Sequence, residues 1–260
     1  EGLKRRVWPT MQTKPVSDES LRWIEPSWPA PRWIRALTTE RGYANAPDPF
    51  SGFNLAQHVG DATMRVESNR RLLKKGLNLA VNPFWLEQVH GTEITNLDQP
   101  DPRKRADGSF TCRSGAVSVI LTADCAPIFL TDRQGTFVAL LHGGWRGIAA
   151  GIIEKALALM PSDNREIIAS VGPTIGPDCF QIGREVKDKL RASHEDEIFF
   201  LADGDKFLAD LPSLIVKRLE RAGVYAVSSS DHCTYSDERR WYSYRRQGQC
   251  GRMASLIWID

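Results

Sequence analysis

Between Thr122 and Gly147 the chain runs Thr-Ala-Asp-Cys, an apolar segment, a short polar insert, a second apolar segment and then His-Gly-Gly-Trp-Arg-Gly. Residues 128–131 and 136–141 are rich in strand formers, and the Asp132-Arg133-Gln134-Gly135 insert has the Asp and Gly of a tight turn, which predicts a β-hairpin. Setting Thr131 opposite Thr136 carries the ladder on to Cys125 opposite His142. Facing residues in such a ladder have Cβ atoms roughly 4.5–5.5 Å apart. A thiol and an imidazole that close can hold one metal ion between them, or the imidazole can activate the thiol. Pro127 is the weak point of this register, because it cannot donate to the ladder.

The remaining chemistry depends on what else reaches that hairpin end. The chain has 260 residues with a formal net charge of +2. Its basic residues are scattered, which argues against nucleic acid and anionic membranes and for a small-molecule substrate. Asp124 interrupts the longest apolar run, so no membrane span is expected. Glu1-Gly-Leu-Lys-Arg-Arg is not followed by an apolar segment, and Met11 is a candidate natural start behind a leader. Five cysteines without a Cys-x-x-Cys pair fit neither a disulfide framework nor a zinc ribbon and point to the cytoplasm. A monomer or weak homodimer is expected.

Residues 1–32, rich in Pro and Trp, are expected to form an extended arm packed on a single catalytic domain spanning 33–260. Within the domain, strands are predicted over 33–39, 84–89, 116–121, 167–171, 224–228 and 252–259. Helices are predicted over 62–75, 148–160, 185–193 and 211–222. Residues 42–52 and 98–115 are expected to be loops.

His90, Cys125 and His142 each follow a predicted strand and can converge on one sheet end. A catalytic zinc takes three such ligands and leaves a position open. The plainer alternative is a buried cysteine beside ordinary histidines. In a third reading Cys125 is a thiolate nucleophile and His142 its base. The turn at residues 143–147 precedes the predicted helix and, with Arg146, suits an anion. Arg245 and Arg246, flanked by Tyr242 and Tyr244, could supply bidentate anion recognition and stacking, or could be a solvated strand end.

Taken in order, Trp85-Leu-Glu-Gln-Val-His-Gly91, Thr122-Ala-Asp-Cys125, His142-Gly-Gly-Trp-Arg-Gly147, Gly172-Pro-Thr-Ile-Gly176, Cys233-Thr-Tyr, Tyr242-Ser-Tyr-Arg-Arg246 and Gly251-Arg-Met-Ala-Ser255 resemble the YfiH family of bacterial laccase-domain proteins. Asn54-Leu, His58-Val-Gly-Asp61 and Arg105-Ala-Asp107 also match. The resemblance implies an α+β fold of four layers, α/β/β/α, with mixed β-sheets, similar to toxin deamidases of the cytotoxic necrotizing factor type. It also implies one zinc ion on His90, Cys125 and His142. The implied chemistry is phosphorolysis of adenosine, inosine, guanosine and methylthioadenosine, with deamination of adenosine. Other members are described as peptidoglycan editing factors that hydrolyse an amide in muropeptide precursors.

On this reading Cys125, His142 and Asp124 are the catalytic candidates, Asp124 also being able simply to orient the site. Arg41, Asn54, His58, Gln88, Arg146, Tyr244 and Arg245 are the substrate-binding candidates. A Cys–His hydrolase, a non-catalytic zinc protein and a copper polyphenol oxidase are the alternatives. Copper is the least favoured, since one His2Cys site lacks the histidines of a multicopper centre. The chain departs from the family at Arg41-Gly-Tyr-Ala, at Gln181 and at Gln247, so no carboxylate acid or base is expected at the last two.

Overall fold

A computed structural model describes residues 13–15, 21–42, 48–191 and 194–260. Its strands show why the sequence carries continuous apolar runs: Ser118–Thr122, Ala126–Asp132, Val138–Gly143, Ile167–Val171 and Met253–Ile259, at the centres of the two large sheets, are buried along their whole length. In chain order the elements are β1 (Thr13–Pro15), β2 (Arg22–Ile24), β3 (Ile34–Thr39), α1 (Thr63–Gly76), β4 (Phe84–Trp85), β5 (Ile94–Asn96), β6 (Gly108–Thr111) and β7 (Ser118–Thr122). They continue with β8 (Ala126–Asp132), β9 (Val138–Gly143), α2 (Trp145–Ala149), α3 (Ile152–Leu157), β10 (Ile167–Val171), β11 (Gln181–Ile182) and α4 (Arg184–Leu190). A 3-10 segment (His194–Phe199), β12 (Phe200–Asp203), β13 (Lys206–Ala209), α5 (Leu211–Arg221), β14 (Ala226–Ser229), α6 (Tyr244–Gln247) and β15 (Met253–Ile259) complete it.

One sheet has the order β1-β2-β3-β15-β7-β4 and the other β14-β10-β8-β9-β6-β5, with β11-β13-β12 as a small third sheet. Both large sheets are mixed: β4 is parallel to β7, β14 to β10 and β5 to β6. Alternation along each strand assigns its side chains to layers. Val119, Leu121, Ala254, Leu256 and Trp258 pack with Leu73 of α1 on the outside of the first sheet. Ile120 and Ile257 turn the other way and meet Phe129, Val138 and Leu140 of the second sheet. Ile128, Leu130 and Leu141 then face Ile152 and Ile153 of α3 and Leu214 and Ile215 of α5. The result is the expected α/β/β/α stack.

Several local expectations are corrected. The β8–β9 register pairs Pro127 with His142 and Thr131 with Val138, two residues away from the predicted pairing. Asp132 is the cause: its carboxylate accepts the Thr136 N–H at 2.8 Å and the Thr136 hydroxyl at 2.5 Å, holding Thr136 in the turn and out of the ladder. The predicted loop over 98–115 contains β6, which lies between β9 and β5 in the sheet. Its polar Gly-Ser-Phe-Thr composition hid it, and Gly108 fits a close approach, since a Cβ there would lie 2.8 Å from the Leu141 side chain and 3.4 Å from the Leu140 carbonyl. The predicted helix over 148–160 starts three residues earlier and is divided by Gly151, at φ 87°, into α2 and α3. The strand expected to deliver His90 ends at Trp85. In the arm, β1 and β2 are integral strands of the first sheet, and Leu21, Trp23 and Ile24 are buried. Met11 lies outside the described residues, as does part of the loop over 42–52.

Candidate metal and active site

Cys125 sits one residue before β8, His142 lies one residue from the end of β9, and His90 lies in a bend after β4. The slipped register puts Cys125 diagonal to His142 and not opposite it, but still at the same sheet end. The ligand atoms of His90, Cys125 and His142 all lie within 4.8 Å of one another, and among the described residues this is the group that could hold a metal ion. The two imidazole rings meet edge to face, with centroids 4.7 Å apart. His142 is buried, Cys125 half-buried and His90 exposed, so the centre has a closed side and an open one. Glycines let the ligands converge. A Cβ on Gly144 would lie 3.1 Å from His90 Cδ2 and 3.3 Å from Cys125 Sγ, and one on Gly147 would lie 2.9 Å from the Gly91 carbonyl.

Asp107, just before β6, organises the centre from behind. Its Oδ1 lies 2.8 Å from His142 Nδ1 and accepts the His90 N–H at 2.8 Å. Its Oδ2 accepts the N–H of Gly91 at 2.7 Å and of Val89 at 3.2 Å, and its carbonyl accepts the His142 N–H at 2.7 Å. One fully buried carboxylate thereby orients the His142 ring, leaves Nε2 for a ligand, and stabilises the left-handed backbone of His90 (φ 59°). Sequence reasoning noted Asp107 only as part of a matching motif and gave it no role. Its position after a long polar segment carries no local signal of burial.

These contacts set the charges. Burial pushes the Cys125 thiol up, but the His142 imidazolium and hydrogen bonds from His142 and His90 bring it down to about 6. Burial pushes His142 down, and the Cys125 thiolate and the Asp107 carboxylate together raise it to about 9. Asp107 itself, opposed by burial, is held below the ordinary carboxylate value by His142 and the Gly91 N–H.

Asp124 is strained as well, at φ 92°. Its carbonyl accepts the Thr174 hydroxyl at 2.7 Å and the Ile175 N–H at 3.0 Å. Its carboxylate accepts the Thr234 hydroxyl and the Arg245 N–H, both at 2.7 Å. It ties the Cys125 turn to α6 and to Cys233-Thr234, and Thr174 and Thr234 were not singled out from sequence.

The other predicted residues divide into two groups. The Gln88 amide pairs with both the N–H and the carbonyl of Leu121, at 2.7 and 2.8 Å. Asn54 is fully buried and bonded to Ala56, Asp61 and the Arg252 N–H. Arg41 is buried, with its guanidinium on the carbonyls of Ser51 and Glu238 and over the Tyr242 ring. In contrast, His58, Arg146 and Tyr244 are exposed. Arg146 stacks on Trp145, and residues 143–147 hold the end of β9 and the first turn of α2, whose N-cap is Gly144. Arg245 and Arg246 belong to a helical turn and not a strand end. Arg246 is engaged by the carbonyls of Thr234, Tyr235 and Trp241. Arg245 reaches the Gln181 carbonyl at 2.7 Å and lines a cavity of about 360 Å³ with Asp178, Cys179, Gln181, Asp203 and Tyr235.

Fold and centre together define a four-layer α+β protein with a preorganised His2Cys group. Residues 35–260 match the family described as multi-copper polyphenol oxidoreductase laccase, and the chain belongs to that family, to which the YfiH proteins that its motifs resemble also belong. It is 42% identical over 241 residues to purine nucleoside phosphorylase PA4543 of Pseudomonas aeruginosa, covering 92% of this chain and 98% of that one. It is 40% identical over 238 residues to purine nucleoside phosphorylase YfiH of Escherichia coli, covering 91% and 98%. Among solved structures, protein NMB0706 of Neisseria meningitidis superposes with a TM-score of 0.85 at 36% identity, covering 92% of this chain and 99% of that one. YlmD from Geobacillus stearothermophilus gives 0.84 at 28% identity, covering 94% and 98%. Among the described residues no helix is long and apolar enough to cross a membrane.

Proposed function

We propose that this chain is a zinc-dependent enzyme of purine nucleosides, exchanging the base for phosphate at the glycosidic carbon and deaminating adenosine at C6. The observation that carries the proposal is the His90–Cys125–His142 group backed by Asp107. The names of its relatives support the substrate class. Two imidazoles and a thiolate suit zinc in tetrahedral geometry with an open position. The same donors can also serve copper, but a multicopper centre needs more ligands than this one group provides. Zinc bound here supplies a Lewis acid that polarises the substrate and acidifies water.

The protein's own groups do the positioning. Asp107 fixes the His142 ring through Nδ1, and Asp124 holds the Cys125 turn. Gln88, Asn54 and Arg41, with their polar groups paired inside the fold, keep the frame. His58, Arg146, Tyr244 and Arg245 are left to meet phosphate, ribose and base through charge, hydrogen bonds and stacking. We place this activity in the cytoplasm, on one catalytic domain acting as a monomer or weak homodimer. Metal analysis combined with a phosphate-dependent nucleoside assay tests it. Full turnover after chelation, or retention of zinc and activity by Cys125→Ala, would sink it.

The Cys125–His142 pair favours a second reading, in which the thiolate attacks an amide and His142 protonates the leaving amine. Muropeptide precursors containing Ser or Ala are then the substrates. Release of the amino acid by chelated protein, with an acyl group trapped on Cys125, selects this reading over the first.

A further inference from the structure

Away from the metal ligands, two further thiols meet on one hydroxyl. Cys179 Sγ lies 3.3 Å from Ser236 Oγ, and the same oxygen lies 3.4 Å from Cys233 Sγ. The Gly176 N–H donates to Cys233 Sγ at 3.1 Å, and the Cys179 N–H donates to the Gly176 carbonyl at 3.1 Å. The turn over 176–179 is therefore folded onto the turn over 233–236. A bridge between Thr174 and Cys233 pins the two together. Gly176 lets the two turns come close, since a Cβ there would lie 3.1 Å from Cys233 Cβ and 3.2 Å from its sulfur. Both thiols are half-buried and neither is in a disulfide.

The two sulfurs have unlike surroundings. Burial pushes the Cys233 thiol up, but the Ser236 hydroxyl and the backbone N–H groups of Gly176, Ser236 and Tyr235 more than offset it, leaving it below the ordinary value. Such a nest of N–H groups stabilises an anion. Cys179 is pushed up by burial and by the neighbouring Cys233 sulfur, the Ser236 hydroxyl notwithstanding. This is the disposition of an attacking thiolate beside a resolving thiol, with Cys179 at the wall of the cavity that Arg245 and Tyr235 also line.

We propose that Cys233 and Cys179 form a redox modification site, in which a hydroperoxide oxidises Cys233 and Cys179 closes a reversible disulfide. The Cys233 thiolate attacks the terminal oxygen of the peroxide, an S–O bond forms and the O–O bond breaks, and the departing hydroxide or alkoxide takes a proton from water to leave as water or the alcohol. The Cys179 sulfur then attacks Cys233, the S–S bond forms, the S–O bond breaks and water leaves with the Cys179 proton. Two thiols are oxidised and one peroxide is reduced. Cys233 is followed by Thr234, whose hydroxyl holds the Asp124 carboxylate beside Cys125, so the site is wired to the metal centre.

The test treats the metal-loaded protein with hydrogen peroxide, blocks remaining thiols under denaturing conditions and maps peptides without reduction. The expected product is a Cys179–Cys233 cross-link lighter by two hydrogens than the separate peptides and cleaved by dithiothreitol. In Cys179→Ser the expected product is a Cys233 sulfenic acid captured by dimedone, and Cys233→Ser leaves Cys179 reduced. Absence of the cross-link, a cross-link to Cys125 or Cys250 in its place, or no dimedone adduct on Cys233 in the Cys179→Ser variant overturns the proposal. Sulfur chemistry alone is read, so the outcome is separate from that of the nucleoside assay.

Discussion

Burial and charge act in opposite directions on Cys125, and charge prevails. With its thiol lowered from 9.0 to about 6, metal-free protein at neutral pH carries the reactive thiolate. Alkylation by iodoacetamide is expected to label Cys125 ahead of the other four cysteines at pH 7, with a rate that rises through about pH 6. A rise only near the ordinary thiol value refutes the ion pair. The same centre depends on Asp107, which meets His142 and three consecutive backbone N–H groups. Asp107→Asn keeps the volume but not the acceptor capacity. It is expected to weaken zinc binding by about 10–100-fold, the usual cost of losing such an outer partner. Competition with a chromophoric chelator measures it, and an unchanged affinity removes Asp107 from the centre.

The β8–β9 hairpin carries two of the three ligands, and its geometry is decided by one side chain. Asp132 is buried and accepts from Thr136, from the Gly135 N–H and from the Ser162 hydroxyl at 2.6 Å. Burial opposes its ionisation, yet the Ser162 and Thr136 hydroxyls and the turn N–H groups hold its carboxyl below the ordinary value. A folded pKa below the unfolded one means stability that is present at neutral pH and lost as pH falls through the carboxylate range. Asp132→Ala is expected to cost about 1.5–3 kcal/mol in urea unfolding at pH 7, the scale of losing hydrogen bonds to a charged group. The loss should shrink at low pH, where the wild-type carboxylate is protonated as well. A loss constant with pH assigns the effect to packing.

At the scale of the molecule, three apolar layers separate four layers of secondary structure, and the middle one holds the sheets in register with each other. Phe129 is fully buried there, with Trp28 packed against its edge at 6.2 Å. Phe129→Ala is expected to destabilise by about 3–5 kcal/mol, as for large cavities in cores. A denaturant midpoint unchanged from wild type contradicts the layer assignment. His90, Cys125 and His142 come from three separate segments, so zinc bound to them at about 100-fold over its Kd is expected to add about 2.7 kcal/mol. The matching rise in melting temperature should be absent in Cys125→Ala; a rise of equal size in that variant places the ion elsewhere.

The long apolar runs and the amphipathic helices were legible in the sequence, because period and composition act locally. β10, α1, α5 and β15 fall where residues alone predicted them. The ligand types, and the position of Cys125 and His142 at strand ends, were legible for the same reason. What the sequence by itself determined is which chemistry could be assembled: two imidazoles, one thiolate and the glycines that let backbones close on them. The tertiary structure alone decided the hairpin register, the strand at Gly108–Thr111 and the work of Asp107. Each of these depends on a partner distant in the chain, or on a side chain competing with the ladder for a backbone group, and no local pattern encodes either.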